Sequence, residues 1–191
     1  MTMLKPSHLF LFLFFCINNT SFGFSKIYKR NNENPTSLDH NKLTGRWYLY
    51  MDTRGEKGKG NTYGDIEIRS NGDLLDTLYE YNPDNEECKS YDIILRPLSS
   101  DPSPESAVEF EIIVPSTTFV LGTQKIVYLN DDPADGFVII HQNTMGEETY
   151  LVATRTKNPS DQLTTIETAL LKLSLDPKKF TKKPTNFGCE T

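Results

Sequence analysis

The residues best suited to chemistry in this chain are few: three histidines, three cysteines and one tryptophan among 191 residues. A metal centre needs several His, Cys or carboxylate side chains brought together at short, regular spacing. His8, His40 and His141 are far apart, and His141, on a strand-like stretch, has no companion at ligand spacing, so no metal is expected. A serine or cysteine nucleophile would need that same His141 as its base, and no strand serine stands near it. Neither Cys88 nor Cys189 belongs to a Cys-x-x-Cys pair, which leaves dithiol redox chemistry without support. No catalytic residue is assigned, no cofactor is expected, and the chain reads as a non-enzyme. What remains is binding chemistry, for which tyrosines on apolar strand faces supply both ring area and a hydroxyl.

The compartment bears on the cysteines. Nine apolar residues from Leu9 to Ile17 follow Lys5 and His8, too short a run to span a bilayer but suited to the apolar segment of a signal peptide. Residues 1–23 are therefore expected to be removed, with cleavage at 25 as the other choice, and the product to be secreted and extracellular. Cys16 would leave with that segment. Cys88 and Cys189 then form an even pair in an oxidising environment, where a disulfide is expected. Formal charge is −6, and the loss of Lys5 makes the product more acidic still. That balance argues against nucleic acid or an anionic membrane as partner and favours a monomer. Residues 24–40 are polar and read as an N-terminal arm, leaving 41–191 as one domain.

Hydrophobic periodicity supplies the elements. Eight strand patterns occupy 46–53, 63–69, 74–81, 88–96, 107–114, 123–129, 137–142 and 149–156. Between the second and third, Asn71-Gly72 is a hairpin signal, and the short connections overall predict an antiparallel meander. Eight strands are enough to close a barrel around one small ligand. The period then changes: Leu163, Ile166, Ala169, Leu170 and Leu173 mark one helical face in 161–173, with Ser160 or Asp161 as the cap. Such a helix has to lay its apolar face on the outside of the sheet. The expected fold is all-β, an eight-stranded antiparallel up-and-down barrel with one C-terminal helix packed outside.

The order of these features resembles the lipocalin family. Leu43-Thr-Gly-Arg-Trp-Tyr48 is similar to its opening signature, and Arg155-Thr156 to its closing one. Asp132, ahead of the seventh strand, stands where the family carries an aspartate, although the flanking Thr and Tyr of the family motif are absent. Leu175-Asp-Pro-x-x-Phe180 before Cys189 is similar to the apolipoprotein D and bacterial lipocalin branch. The resemblance implies that Gly45, Trp47, Asp132 and Arg155 are structural signatures, with the Arg155 guanidinium stacked on the indole at the closed end. It also implies a bridge from the fourth strand to the C-terminus, Cys88 to Cys189.

From the same resemblance follows a carrier of a small hydrophobic or amphipathic molecule of the fatty acid, retinoid, sterol or bilin class. With Trp47 inward, Leu49 and Met51 are expected above it, joined in the cavity wall by Tyr79, Tyr81, Tyr91, Phe110, Ile112, Phe137 and Ile139. A one-residue slip in register would invert such a set. Inward-facing Glu80, Glu109 or Glu111 would instead favour a cationic amine. The alternative function is a secreted interaction or structural protein with a filled cavity whose loops bind another protein, for example a cell-surface receptor.

Overall fold

The computed structural model describes residues 35, 37–55, 60–98 and 107–189. The signal-peptide assignment and most of the N-terminal arm lie outside the described residues. A short 3-10 turn, His40–Leu43, leads into nine strands: β1 (Gly45–Asp52), β2 (Thr62–Ile68), β3 (Leu74–Asn82), β4 (Glu87–Pro97), β5 (Glu109–Val114), β6 (Phe119–Asn130), β7 (Phe137–Thr144), β8 (Glu147–Thr154) and β9 (Thr181–Lys182). Neighbours in sequence pair antiparallel from β1 to β8, and β8 pairs back onto β1, so the eight strands close into an up-and-down barrel. β9 lies outside that closure, on the end of β1. The helix α1 (Leu163–Lys172) follows the barrel.

The local chemistry explains these elements. At the Asn71-Gly72 turn, Gly72 takes φ 86°, a conformation open to glycine at little cost, and the Arg69 N–H closes on the Asp73 carbonyl at 2.8 Å. β6 runs beyond the expected 123–129 at both ends, and its register shifts between Ile126 and Tyr128 and again opposite Ile112 and Ile113. Bulges interrupt the period of two that sequence reading relies on. The helix start also differs from expectation. Neither Ser160 nor Asp161 caps α1; a 3-10 turn, Ser160–Gln162, runs directly into it.

Burial separates three apolar clusters. The barrel interior holds Trp47, Leu74, Leu95, Phe110, Ile112, Ile126 and Val138. On the outer face Ile166, Ala169 and Leu170 of α1 pack on Met51, Phe137, Ile139 and Val152. Leu171, off the helical stripe, is exposed. A third cluster sets Tyr48, Tyr63 and Tyr79 under the C-terminal segment, where Phe187 meets Tyr48 edge-on at 5.0 Å. The disulfide Cys88–Cys189 fastens that segment to β4. Among the described residues, no helix is long and apolar enough to cross a membrane.

The closed end is built around Trp47. Its indole N–H donates to the Leu43 carbonyl at 2.7 Å, and the Arg155 guanidinium lies 3.6 Å from the ring centroid. Arg155 donates to the carbonyls of Arg46 (2.9 Å) and Lys42 (3.0 Å), so one planar fork ties the start of β1 to the end of β8. Gly45, at φ 85°, turns the chain directly beside it. Asp132 accepts from the N–H groups of Ala134 and Asp135, both at 2.9 Å, which shapes its own turn and holds its carboxyl below the usual carboxylate range. It is the neighbouring Asp131 that pairs across the barrel end, with Lys42.

Candidate functional site: the barrel cavity

Inside the barrel is a cavity of about 250 Å³. Its wall comes from every barrel strand except β5, because the inward side chains of β5, Phe110 and Ile112, are spent on the packed core. Phe110 is wholly buried and packs against His40, 5.2 Å between ring centroids, at the closed end. The apolar wall includes Leu49, Ile66, Leu78, Leu95, Ile126, Val138 and Ile140, and Trp47 lines it near the closed end. Trp47 therefore faces the cavity as well as carrying the Arg155 guanidinium. A separate depression of about 210 Å³ lies on the outer surface between α1 and Tyr128. Its threonines and Lys172 belong to the exposed side of the helix, and no buried polar group points into it, so the barrel interior is the better candidate.

Several expected wall residues lie elsewhere. Leu49 and Tyr91 line the cavity; Met51, Tyr79, Tyr81, Phe137 and Ile139 do not, and each departure has a local cause. Register on β1 shifts between Leu49 and Met51: Leu49 pairs with inward Ala153, but Met51 pairs with outward Val152, so the bulge turns Met51 toward α1. On β7 both faces are apolar; Val138 and Ile140 face in, while Phe137 and Ile139 lie under the helix. On β3 the faces are reversed. Tyr79 stacks on Tyr63 at 4.7 Å outside the barrel, and the Tyr81 ring lies against Gly188 of the tail. Those tyrosines are covered by the disulfide-tethered C-terminal segment rather than by a ligand.

The inward face of β3 carries the polar group that alternation did not reveal. Asp76 stands in the cavity wall between Ile66 of β2 and Ile93 of β4, its partners in register. The residue as a whole is only partly buried, but its Oδ1 has no solvent contact and no hydrogen-bond partner. Burial pushes the carboxyl up to about 7, and the charge of Asp65 adds to the rise. Gly64 makes the position possible, since a Cβ there would collide with the Asp76 carboxylate. Tyr91, on the adjacent strand, is 47% exposed as a residue, and its hydroxyl end, set in the cavity wall, is pushed up by burial there, then by Glu80, with Arg54 opposing and Asp76 adding.

Two further polar sets complete the wall. Gln142 donates to Gln124 at 2.8 Å, a side-chain pair bridging β7 and β6. Arg54 reaches the cavity from the end of β1, but its guanidinium is bound to Asp52, with Nε 2.7 Å from Oδ2. Asp52 is fully buried and also holds Lys183 at 3.0 Å. His141 faces outward and stacks on Tyr150 at 4.7 Å. Among the described residues, no group of three or more His, Cys, Asp or Glu side chains is placed to hold a metal.

The architecture is shared with solved structures at low sequence identity. The major allergen Per a 4 from cockroaches matches with TM-score 0.59 at 16% identity, over 81% of this chain and 94% of the allergen chain. The siderocalin Ex-FABP matches with TM-score 0.50 at 10% identity, over 75% of this chain and 94% of its own. No family model matches the sequence, and no curated protein does either. At such identities the likeness concerns the fold alone, a closed eight-stranded antiparallel up-and-down barrel with a C-terminal helix.

Proposed function

We propose that this protein is a secreted, non-enzymatic carrier that holds a small amphipathic molecule inside its barrel. The observation that carries this reading is the cavity itself: a mostly apolar wall into which a few polar groups, Asp76, Tyr91, Gln124 and Gln142, converge. Its volume of about 250 Å³ lies just under the ~300 to 1,000 Å³ usual for small-molecule sites. A compact ligand suits it better than a sterol or a long acyl chain. The neighbouring fold also hosts binding, since the siderocalin Ex-FABP functions through dual ligand specificities. Secretion is supported by the disulfide Cys88–Cys189 together with the apolar run at Leu9 to Ile17. A place near the apolipoprotein D and bacterial branch is supported by Leu175-Asp-Pro-x-x-Phe180, where Asp176 accepts from the Lys178 N–H at 3.0 Å and caps a short turn.

A second reading draws on Phe119, Val120 and Met145, which are exposed at the barrel end opposite Trp47 and could meet another protein. Native mass spectrometry of the protein recovered from a eukaryotic secretion host, followed by organic extraction, separates the two. A stoichiometric small passenger is the expected result. An empty barrel that also gives no change in Trp47 fluorescence with any small amphipathic probe would leave the protein-binding reading in its place.

A further inference from the structure

Building on the reading of the cavity as a ligand site, we propose that it selects a small organic cation, whose protonated amine is received by the Asp76 carboxylate while its aryl or alkyl body lies on the apolar wall. Three independent features of the site lead there.

The first is the state of Asp76. Its Oδ1 is out of solvent and without a hydrogen-bond partner, in a wall whose neighbours on either side are Ile66 and Ile93. A buried acceptor left this way is costly unless something arrives to satisfy it. An ammonium brings both the opposite charge and the donors that the oxygen lacks. The second is the space around it. Gly64 on β2 lets the carboxylate sit against the β2 backbone, Oδ1 taking the space a Cβ would fill, so the sequence of two strands seats the acid in the cavity wall.

The third is the balance of charge around the cavity. Arg54, a cation of the wall, is already committed to Asp52. The other titratable neighbours of this face are Glu80 on β3 and the Tyr91 hydroxyl on β4, while Asp65, which also acts on Asp76, points outward from β2 and is paired with Arg46 at 2.6 Å. Among the described residues, the inward carboxylates Asp76 and Glu80 have no such partner on the wall. A ligand bearing a carboxylate would add like charge to that group, whereas an amine offsets it. A fatty acid head group is thus the wrong partner for this interior, and a neutral alcohol is an intermediate one.

The test uses the intact protein and three probes sharing one body: 2-phenylethylamine, 2-phenylethanol and phenylacetate. Binding is followed at pH 8 by Trp47 fluorescence, since the indole lines the cavity, and by calorimetry. The expected order is amine, alcohol, carboxylate, with the amine at least about tenfold tighter than the alcohol, as a charge-assisted contact requires. In Asp76→Asn the amine-to-alcohol ratio should collapse to within about twofold. Should that variant fail to fold, the ranking in the unaltered protein still decides. Equal or tighter binding of the alcohol or the carboxylate overturns the cation preference but leaves the carrier reading standing. Silence from all three probes in both measurements overturns the two together.

Discussion

Replacing Asp76 with asparagine should make the ligand-free protein more stable at pH 8, by about 2 to 4 kcal/mol, and should leave its stability at pH 4 nearly unchanged. The carboxyl titrates near 7 in the folded barrel, against an ordinary value of 3.8. At about 1.4 kcal/mol for each pKa unit, holding it ionised inside costs up to about 4 kcal/mol, and the amide's own unmet hydrogen bonds return part of the gain. Between pH 4 and 7 the unfolded chain has lost this proton and the folded protein still holds it. Stability from this group therefore falls as pH rises through that window, then levels off above 7. Asp65, Glu80, Tyr91 and Arg54 are present in both proteins, so their own titration largely cancels in the difference. Urea unfolding of the two proteins at pH 4, 5.5 and 8 measures it. A variant less stable than the parent at pH 8 would mean that a partner satisfies the carboxylate in the folded state, and the site would lose its vacancy for a ligand amine.

Removing the disulfide should have an effect of similar size and opposite sign. The double replacement Cys88→Ser, Cys189→Ser is expected to lower stability by about 4 kcal/mol, because on the chain-entropy account a loop of roughly a hundred residues is no longer held closed in the unfolded state. The two cysteines are 101 residues apart in sequence. Non-covalent contacts also hold the tail. Asn61 Nδ2 donates to the Pro184 carbonyl at 2.6 Å, the Lys183 N–H to the Tyr50 carbonyl at 2.8 Å, and Phe187 packs on Tyr48. Comparison of urea midpoints and slopes under non-reducing conditions gives the loss. A change below about 1 kcal/mol would assign the tethering to those contacts and not to the covalent bond.

The fold was more legible than the site, for physical reasons visible in single strands. Glu109 and Glu111 alternate with Val108, Phe110 and Ile112, and that clean amphipathic pattern placed β5 correctly. The α1 stripe was equally plain, since Ile166, Ala169 and Leu170 are buried and Leu171 is not. Strand β3 misled because its aromatic face, Tyr79 and Tyr81, is roofed by a C-terminal segment about a hundred residues away, while its inward face carries an aspartate. A polar residue facing in breaks the rule by which faces are assigned, and the broken rule marks the site. Met51 was lost to a bulge that alternation cannot see. Gly64 was a detectable signal: a glycine inside a strand suggests a close approach, here by Asp76.

The central claim is that a ligand sits within the barrel and not on its surface. A methyl-labelled NMR spectrum recorded with and without the tightest binder of the three phenylethyl probes tests it most directly. The expected perturbations fall on Leu49, Ile66, Leu78, Ile126, Val138 and Ile140, all of which line the cavity. Ile139, Val152 and Ile166, packed between barrel and helix, should stay still. Shifts confined to that outer set, or to Val120 and Met145 at the exposed end, would contradict the account.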